Sequence, residues 1–514
     1  LILDGNRLYL HRHWQEEQII VDALNARMIK TSYDTTWLKQ RLDDLFDTTS
    51  NENREMNLGQ KIAAAMTITR QLAIITGGPG TGKTTTVTKI LALLLEDETE
   101  LRIVLAAPTG KAAARLAESI DEQTEKLKGK INDAILENLP RKASTVHRLL
   151  GWQRHGGFKH NSDNTLPCDC LLIDETSMID QGLMASLLQA LPQHCRLIML
   201  GDRDQLESVE AGSVLGDITG HGRELSLSPQ RADELGEIIN DELSTLVTDD
   251  SPAIADHIAH LSYSHRFAKG GGIGRLATAV NAGDREAAQA ILAENDPELS
   301  LLEISEDTTR PGTKIIDWAI ERYSPIFNAT DEENALNIFE QTRVLTALRQ
   351  GPWGETAIGE QIETLLRNKA GISGKTGEPF KGMPIIIRKN DPETGLFNGD
   401  TGIFWPDAKN EDKLMAWFRI DGKLKPFSEH QLPHKQTAWT LTVHRSQGSQ
   451  YEQLLLVLPS KETKVLSREL IYTGITRAKT HCTLVVNTAQ FEDALESKIS
   501  RTSGLGERMG WPEE

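Results

Sequence analysis

The stretch Gly77-Gly-Pro-Gly-Thr-Gly-Lys-Thr-Thr85 restricts what this chain can fold into more than any other part of it. Gly77, Gly82, Lys83 and Thr84 satisfy the pattern G-x-x-x-x-G-K-[ST]. A short apolar run, Leu72 to Thr76, leads into it, and from Thr85 to Leu95 apolar residues recur at three- and four-residue spacing. Strand, glycine loop and helix is the order in which backbone N–H groups turn inward around a phosphate while the helix start adds partial positive charge. The loop residues Gly77, Gly78, Pro79, Gly80, Thr81, Gly82, Lys83, Thr84 and Thr85 are therefore assigned to a nucleoside triphosphate, with Lys83 on the β/γ oxygens and the Thr84 hydroxyl on Mg²⁺. The plain alternative, a glycine-rich turn carrying an exposed lysine, leaves the flanking strand and helix unexplained.

The chain has 514 residues, room for about three domains at ~100–200 residues each. Hydrophobic residues make up 39% and charged residues 25%, as in ordinary globular proteins, and no apolar run approaches the ~18 residues that suggest a bilayer span. No membrane partner is expected. Cys168, Cys170, Cys195 and Cys482 match neither C-x-x-C nor a zinc-knuckle spacing, so they are read as small buried side chains in a reducing cytoplasm. The sequence opens at Leu1 rather than methionine, and the expectation is that a further N-terminal module precedes it. The net charge of −18 argues against indiscriminate adhesion to DNA, yet the charge is uneven. Residues 101–160 carry 11 Lys/Arg against 6 Asp/Glu, whereas 291–340 carry 3 against 12. A basic track on an acidic body suits a protein that grips nucleic acid in one channel; solvated helix faces are the bland alternative.

Residues 1–57 are charged and rich in helix formers, and are expected to be a connector. From 58 to 235, short apolar runs (Leu72–Thr76, Arg102–Ala106, Leu171–Asp174, Arg196–Gly201) alternate with helical stretches, the signature of a parallel sheet covered on both faces. A second α/β domain is expected over 236–370 and 436–514, carrying Arg343–Leu348, Leu454–Leu458 and Cys482–Val486. Between its halves, 371–435 changes to β-rich runs with turn signals at Asn398-Gly399 and Asp421-Gly422, which predicts a small inserted β-barrel. Trp152–Pro167 is polar and basic and is expected to project as a hairpin or loop.

Other clusters narrow the chemistry. Leu171-Leu-Ile-Asp-Glu175 ends an apolar run in two carboxylates: Asp174 to hold Mg²⁺ through water, Glu175 to orient and deprotonate the attacking water. Gly201-Asp-Arg-Asp-Gln-Leu206 follows the next run and offers Gln205 as an uncharged sensor of the γ-phosphate. Arg266 and Arg477, both assigned to the second domain, are candidates for neutralising charge that builds in the transition state. A surface salt bridge is the ordinary alternative for either arginine.

Taken in order, Gly77–Thr85, Ala107–Leu116, Leu171–Glu175, Gly201–Leu206, Arg343–Gly354, Thr442–Gly448 and Tyr472–Ala478 resemble the motif series of the superfamily 1B DNA helicases. Gly5–Leu10, Ser144–Gly151 and Gly395–Asp400 narrow the likeness to the RecD family, α subunits of the RecBCD (exonuclease V) helicase–nuclease. The resemblance covers nearly the whole chain. It implies an α/β fold of two RecA-like P-loop domains with an SH3-like barrel inserted in the second. It implies an ATP hydrolase that moves 5′ to 3′ on the 5′-ended strand of a duplex end, with RecB and RecC as partners. It implies that Gln60 reads adenine, that Pro108, Thr109, Lys111 and His147 line the single-strand track in the first domain, and that Asn398, Thr442, His444 and Gln447 do so in the second. The inserted barrel would clamp the strand and the Trp152–Pro167 projection would part the duplex.

Three rival readings stand beside this one. A free-standing helicase of the same family shares the motifs. A non-catalytic scaffold has no use for Lys83, Thr84, Asp174, Glu175, Gln205, Arg266 and Arg477 together. A nuclease would need a metal site, and Pro406-Asp407 with Glu411-Asp-Lys413 is spaced too tightly to bring two strands together, so any nuclease centre belongs to another subunit.

Overall fold

The computed structural model describes residues 1–153, 156–207, 212, 214–267, 270–391, 393–407, 410–420, 422–497 and 503–512, except the side chains of 411 and 412. It divides into two compact units, Leu1–Arg266 with Arg501–Glu514, and Phe267–Ser500.

In the first unit a hairpin, β1 (Ile2–Asp4) and β2 (Arg7–Tyr9), precedes a six-stranded sheet of β3 (Leu72–Gly77), β4 (Ile103–Ala107), β5 (Ala143–Thr145), β6 (Cys170–Ile173), β7 (Arg196–Gly201) and β8 (Ile258–Leu261). The order is β5-β4-β6-β7-β3-β8, and every pairing is parallel. Parallel strands covered on both faces read as unbroken apolar runs, which is why β3 and β6 are buried throughout and β7 nearly so. On one face Ile75, Leu105, Leu172 and Ile198 pack with Val87, Ile90 and Leu91 of the helix Lys83–Asp97. On the other, Leu72, Leu171 and Leu197 pack with Met184 and Leu187 of the helix Gln181–Gln189. Each such side chain, fully buried, contributes ~1.5–3 kcal/mol.

Three expected boundaries shift. Residues 1–57 are not a bare connector: the helix His11–Asn25 places Ile20 and Leu24 in one core layer, and the helix Thr35–Leu45, capped by Asp34 from Thr36 N at 2.8 Å, places Leu38 and Leu42 in the other. Residues 236–266 belong to the first unit because β8 pairs with β3, so Arg266 lies in the first unit, not the second. The C-terminal segment also belongs to the first unit, where Trp511 Nε1 donates to Ile218 O at 2.9 Å.

The second unit holds β9 (Leu299–Glu303), β10 (Thr342–Thr346), β11 (Pro384–Ile387), β12 (Thr401–Asp407), β13 (Asn410–Ile420), β14 (Lys423–Phe427), β15 (Lys435–Thr437), β16 (Thr440–Thr442), β17 (Tyr451–Val457) and β18 (Ala478–Val486). Its parallel sheet runs β16-β10-β17-β18-β9, and the inserted strands form a separate antiparallel sheet, β14-β13-β12-β11-β15. The insertion is β-rich as expected, but no pairing joins β14 to β15 among the described residues, so closure into an SH3-like barrel is not seen. Arg343, fully buried, donates to Ala438 O at 2.9 Å and lies over the Phe339 ring at 3.8 Å, tying the end of the insertion to β10. Of the turn signals, Asp421 lies outside the described residues. Pro406 and Asp407 close β12, and the side chain of Glu411 lies outside the description. No described helix is long and apolar enough to cross a membrane.

Candidate active site

Every candidate residue of the first unit except Gln60 follows the carboxyl end of a strand in its parallel sheet, the edge at which such sheets bind ligands. The loop after β3 carries the phosphate motif. Gly80 and Gly82 have φ of +81° and +82°, a region open to glycine, and Gly82 caps the helix Lys83–Asp97. Thr81 Oγ1 donates to Gly78 O at 2.9 Å and fixes the turn. Thr84 and Thr85 lie in the first turn of the helix and are partly exposed. Lys83 folds back and donates from Nζ to the carbonyls of Gly77 and, at 3.0 Å, Gly78. Those carbonyls keep the ammonium at the loop.

Asp174 and Glu175 follow β6. Asp174 Oδ1 accepts from Glu175 N at 2.8 Å, and Glu175 holds a φ of +53°, which a non-glycine residue adopts only when its surroundings compel it. Burial, and then the neighbouring Glu175 charge, push the Asp174 carboxyl up to about 7, while Lys83 and the Glu175 N–H oppose the rise. After β7, Gln205 is buried and donates from Nε2 to Asp202 Oδ2 at 2.7 Å. Burial also raises Asp202, with Lys83 again opposing. Asp202 is the residue that sequence reasoning passed over: it sits in the quoted Gly201–Leu206 motif, and its role is to hold Gln205. Two carboxyls denied full hydration beside one lysine form a site short of positive charge, and a divalent cation with a triphosphate fits it.

The segment after β8 lies against the phosphate loop. Ser264 Oγ donates to Pro79 O at 3.0 Å, and His265 N donates to Gly80 O at 2.9 Å. A Cβ on Gly80 would come within 2.5 Å of Arg266 Cβ, so the Arg266 stem rests on the loop itself. Gln60, on the helix Asn51–Thr69, reaches the same loop: its Nε2 lies 3.4 Å from Thr81 O and 3.2 Å from His265 Nε2. His265 was not foreseen; its only signal was its position beside Arg266.

The single-strand candidates of the first unit share the neighbouring part of the edge. Pro108 and Thr109 follow β4, and Thr109 Oγ1 caps the helix Gly110–Leu127, which bears Lys111, by accepting from Ala112 N at 3.2 Å. His147 follows β5, which pairs with β4, and lies in the helix Val146–Leu150. It is exposed and meets the Phe158 ring edge-on at 6.1 Å, so it is not a core histidine. In the segment beyond it, Trp152 bridges Phe158 antiparallel and is 61% exposed; Arg154 and His155 lie outside the described residues.

In the second unit, Thr442 ends β16 and is buried, while His444 and Gln447 flank a short turn closed by Ser446 Oγ donating to Val443 O at 2.7 Å. Asn398 is exposed in the loop before β12, its N–H donating to Asn390 Oδ1 at 2.8 Å. Arg477, between the helix Arg468–Ile475 and β18, is 2% exposed; Nε donates to Thr473 O at 3.1 Å, and Nη2 has no hydrogen-bond partner among the described residues. An unpartnered buried guanidinium nitrogen is costly unless a ligand meets it.

Residues 60–211 match the AAA domain family and 437–485 the UvrD-like helicase C-terminal domain. The chain is 34% identical to RecBCD enzyme subunit RecD of Haemophilus influenzae, over 98% of this chain and 80% of that one. It is 30% identical to the ATP-dependent RecD2 DNA helicase of Deinococcus radiodurans, over 80% of this chain and 46% of that one. Among solved structures, a Pif1 helicase chain aligns at 15% identity over 82% of this chain and 89% of that one, with a TM-score of 0.40.

Proposed function

This chain belongs to the RecD family of helicase subunits, and from that footing we propose that it is an ATP-dependent DNA helicase that translocates 5′ to 3′ on single strands within a RecBCD-type complex. The observation that carries the reading is the shared carboxyl edge: the phosphate loop, Asp174 with Glu175, Asp202 with Gln205, and Arg266 all follow strands of one parallel sheet.

In the proposed cycle Lys83 exchanges the Gly77 and Gly78 carbonyls for the β/γ oxygens of ATP. Thr84 and Asp174 would hold Mg²⁺, which would supply charge neutralisation at the phosphates. Glu175 orients and deprotonates the attacking water. Gln205, steadied by Asp202, senses the γ-phosphate, and Arg266 and Arg477 meet negative charge as it builds. Gln60 accepts from the base. Pro108, Thr109, Lys111 and His147 in one unit, and Asn398, Thr442, His444 and Gln447 in the other, hold backbone and bases without sequence preference. The Trp152–Pro167 projection parts the duplex and the inserted sheet clamps the strand. RecB and RecC are the proposed partners, with the nuclease centre outside this chain.

The test is strand displacement on duplexes with one single-stranded tail. The proposal expects ATP-dependent unwinding from a 5′ tail and little from a 3′ tail; preference for the 3′ tail contradicts the polarity. Stoichiometric co-purification with RecB and RecC supports the complex-bound form, and recovery alone favours the free-standing relative.

A further inference from the structure

Gln60 is held in one of its two amide orientations, and His265 does the holding. Thr81 O can only accept, so the amide end 3.4 Å away is the NH₂ group. That same nitrogen stands 3.2 Å from His265 Nε2, which must then accept as well, leaving the imidazole proton on Nδ1. Both Gln60 amide protons are thereby directed to protein atoms, and no described residue donates a hydrogen bond to Oε1. The amide is also packed close: a Cβ on Gly82 would come within 2.6 Å of Gln60 Nε2. The residue carrying the imidazole is anchored in turn by its backbone N–H, which donates to Gly80 O at 2.9 Å, by Ser264 Oγ donating to Pro79 O, and by the Tyr263 ring, which meets the imidazole edge-on at 5.1 Å. Burial, and then the nearby Lys89, hold His265 below the ordinary imidazole value, which keeps Nε2 an acceptor near neutral pH.

We infer that His265 is a specificity-determining positioning residue: by occupying the Gln60 NH₂, it turns Gln60 Oε1 toward the bound base and selects a 6-aminopurine over a 6-oxopurine. A 6-amino group donates to Oε1, whereas a 6-oxo group sets oxygen against oxygen, and a site built for a donor rejects the analogue that lacks it. The inference rests on the reading that Gln60 faces the base, so the test separates the two.

ATP and ITP, which carry an amino and a keto group at the purine 6-position, are compared by kcat/KM for DNA-stimulated hydrolysis. The wild type is expected to favour ATP, and Gln60→Ala to reduce that preference to its floor. His265→Leu lowers the ATP:ITP ratio about tenfold, roughly one hydrogen bond's worth of discrimination. His265→Gln, whose side-chain oxygen replaces Nε2 as acceptor, restores most of it. In the Gln60→Ala background His265→Leu has no further effect. A lowered ratio in Gln60→Ala but an unchanged ratio in His265→Leu overturns the role of His265 and leaves that of Gln60 standing. An unchanged ratio in Gln60→Ala overturns both. Full preference retained by His265→Phe shows that the ring acts by stacking on the base, which also contradicts the inference.

Discussion

Asp174 is partly shielded from water beside Glu175, with Lys83 and one backbone N–H to offset two negative charges. Its carboxyl therefore titrates near 7 in the fold against an ordinary value near 4, so the folded state holds the proton more tightly than the unfolded chain does. By linkage, stability contributed by the protonated form is present in acid and is lost as pH rises from about 4 through about 7. Above that range the ionised pair strains the nucleotide-free protein. Asp174→Asn should accordingly raise the melting temperature at pH 8 while abolishing Mg²⁺-dependent hydrolysis, a gain of about 1–2 kcal/mol after screening in a site partly open to water. Calorimetry at pH 8 and pH 5 checks the sign: the gain should shrink in acid, and a gain that grows in acid contradicts it. His147 poses a different test, because it is exposed at the end of β5 rather than packed in the core. His147→Ala should weaken single-strand binding by about fivefold, near 1 kcal/mol, with nucleotide affinity unchanged. Fluorescence anisotropy with labelled single strands and with labelled nucleotide separates the two, and equal loss of both argues for a structural role.

β8 is the element that sequence reasoning missed at greatest cost. Ile258-Ala-His-Leu261 is only four residues long and broken by a histidine, so it carries no strand signal of its own, yet it pairs with β3 and delivers Ser264, His265 and Arg266 to the phosphate loop. Because β8 was not seen, Arg266 was assigned to the wrong unit. By contrast β3 and β7 were legible almost to the residue, since buried parallel strands must be apolar throughout. The glycine loop was legible because its chemistry leaves few alternatives in residue type. Asp202 and His265 were not, because each acts through another side chain, Gln205 or Gln60, and such pairing is visible only in three dimensions. The histidines around β8 also give it a pH signature. His257, whose Nδ1 donates to Leu72 O at 3.0 Å, and His260 are both pushed down to about 4, chiefly by burial. A depressed imidazole stabilises the fold fully above about 6.5, and this contribution is lost as pH falls toward 4. Hydrogen exchange on the full chain should show β8 amides opening more readily at pH 5 than at pH 7.5, and His257→Gln should flatten that dependence. Protection that increases in acid runs against it.

The whole molecule consists of two units, each built on a five- or six-stranded parallel sheet, with an antiparallel sheet inserted in the second and the C-terminal segment belonging to the first. This return of residues 503–512 was invisible in sequence, since Trp511 and Arg508 carry no motif and find their partners, Ile218 O and Gln18 Oε1, hundreds of positions away. At this scale the central claim is that the phosphate loop couples ATP hydrolysis to a single strand. The most direct measurement is steady-state ATP hydrolysis by the purified chain, with and without single-stranded DNA, beside Lys83→Gln shown by circular dichroism and melting to be folded. The account predicts that single strands stimulate the wild type and that Lys83→Gln loses at least a hundredfold in turnover, about 2.7 kcal/mol of transition-state stabilisation, with or without DNA. Undiminished turnover by the folded variant, or hydrolysis by the wild type that is indifferent to DNA, would contradict it.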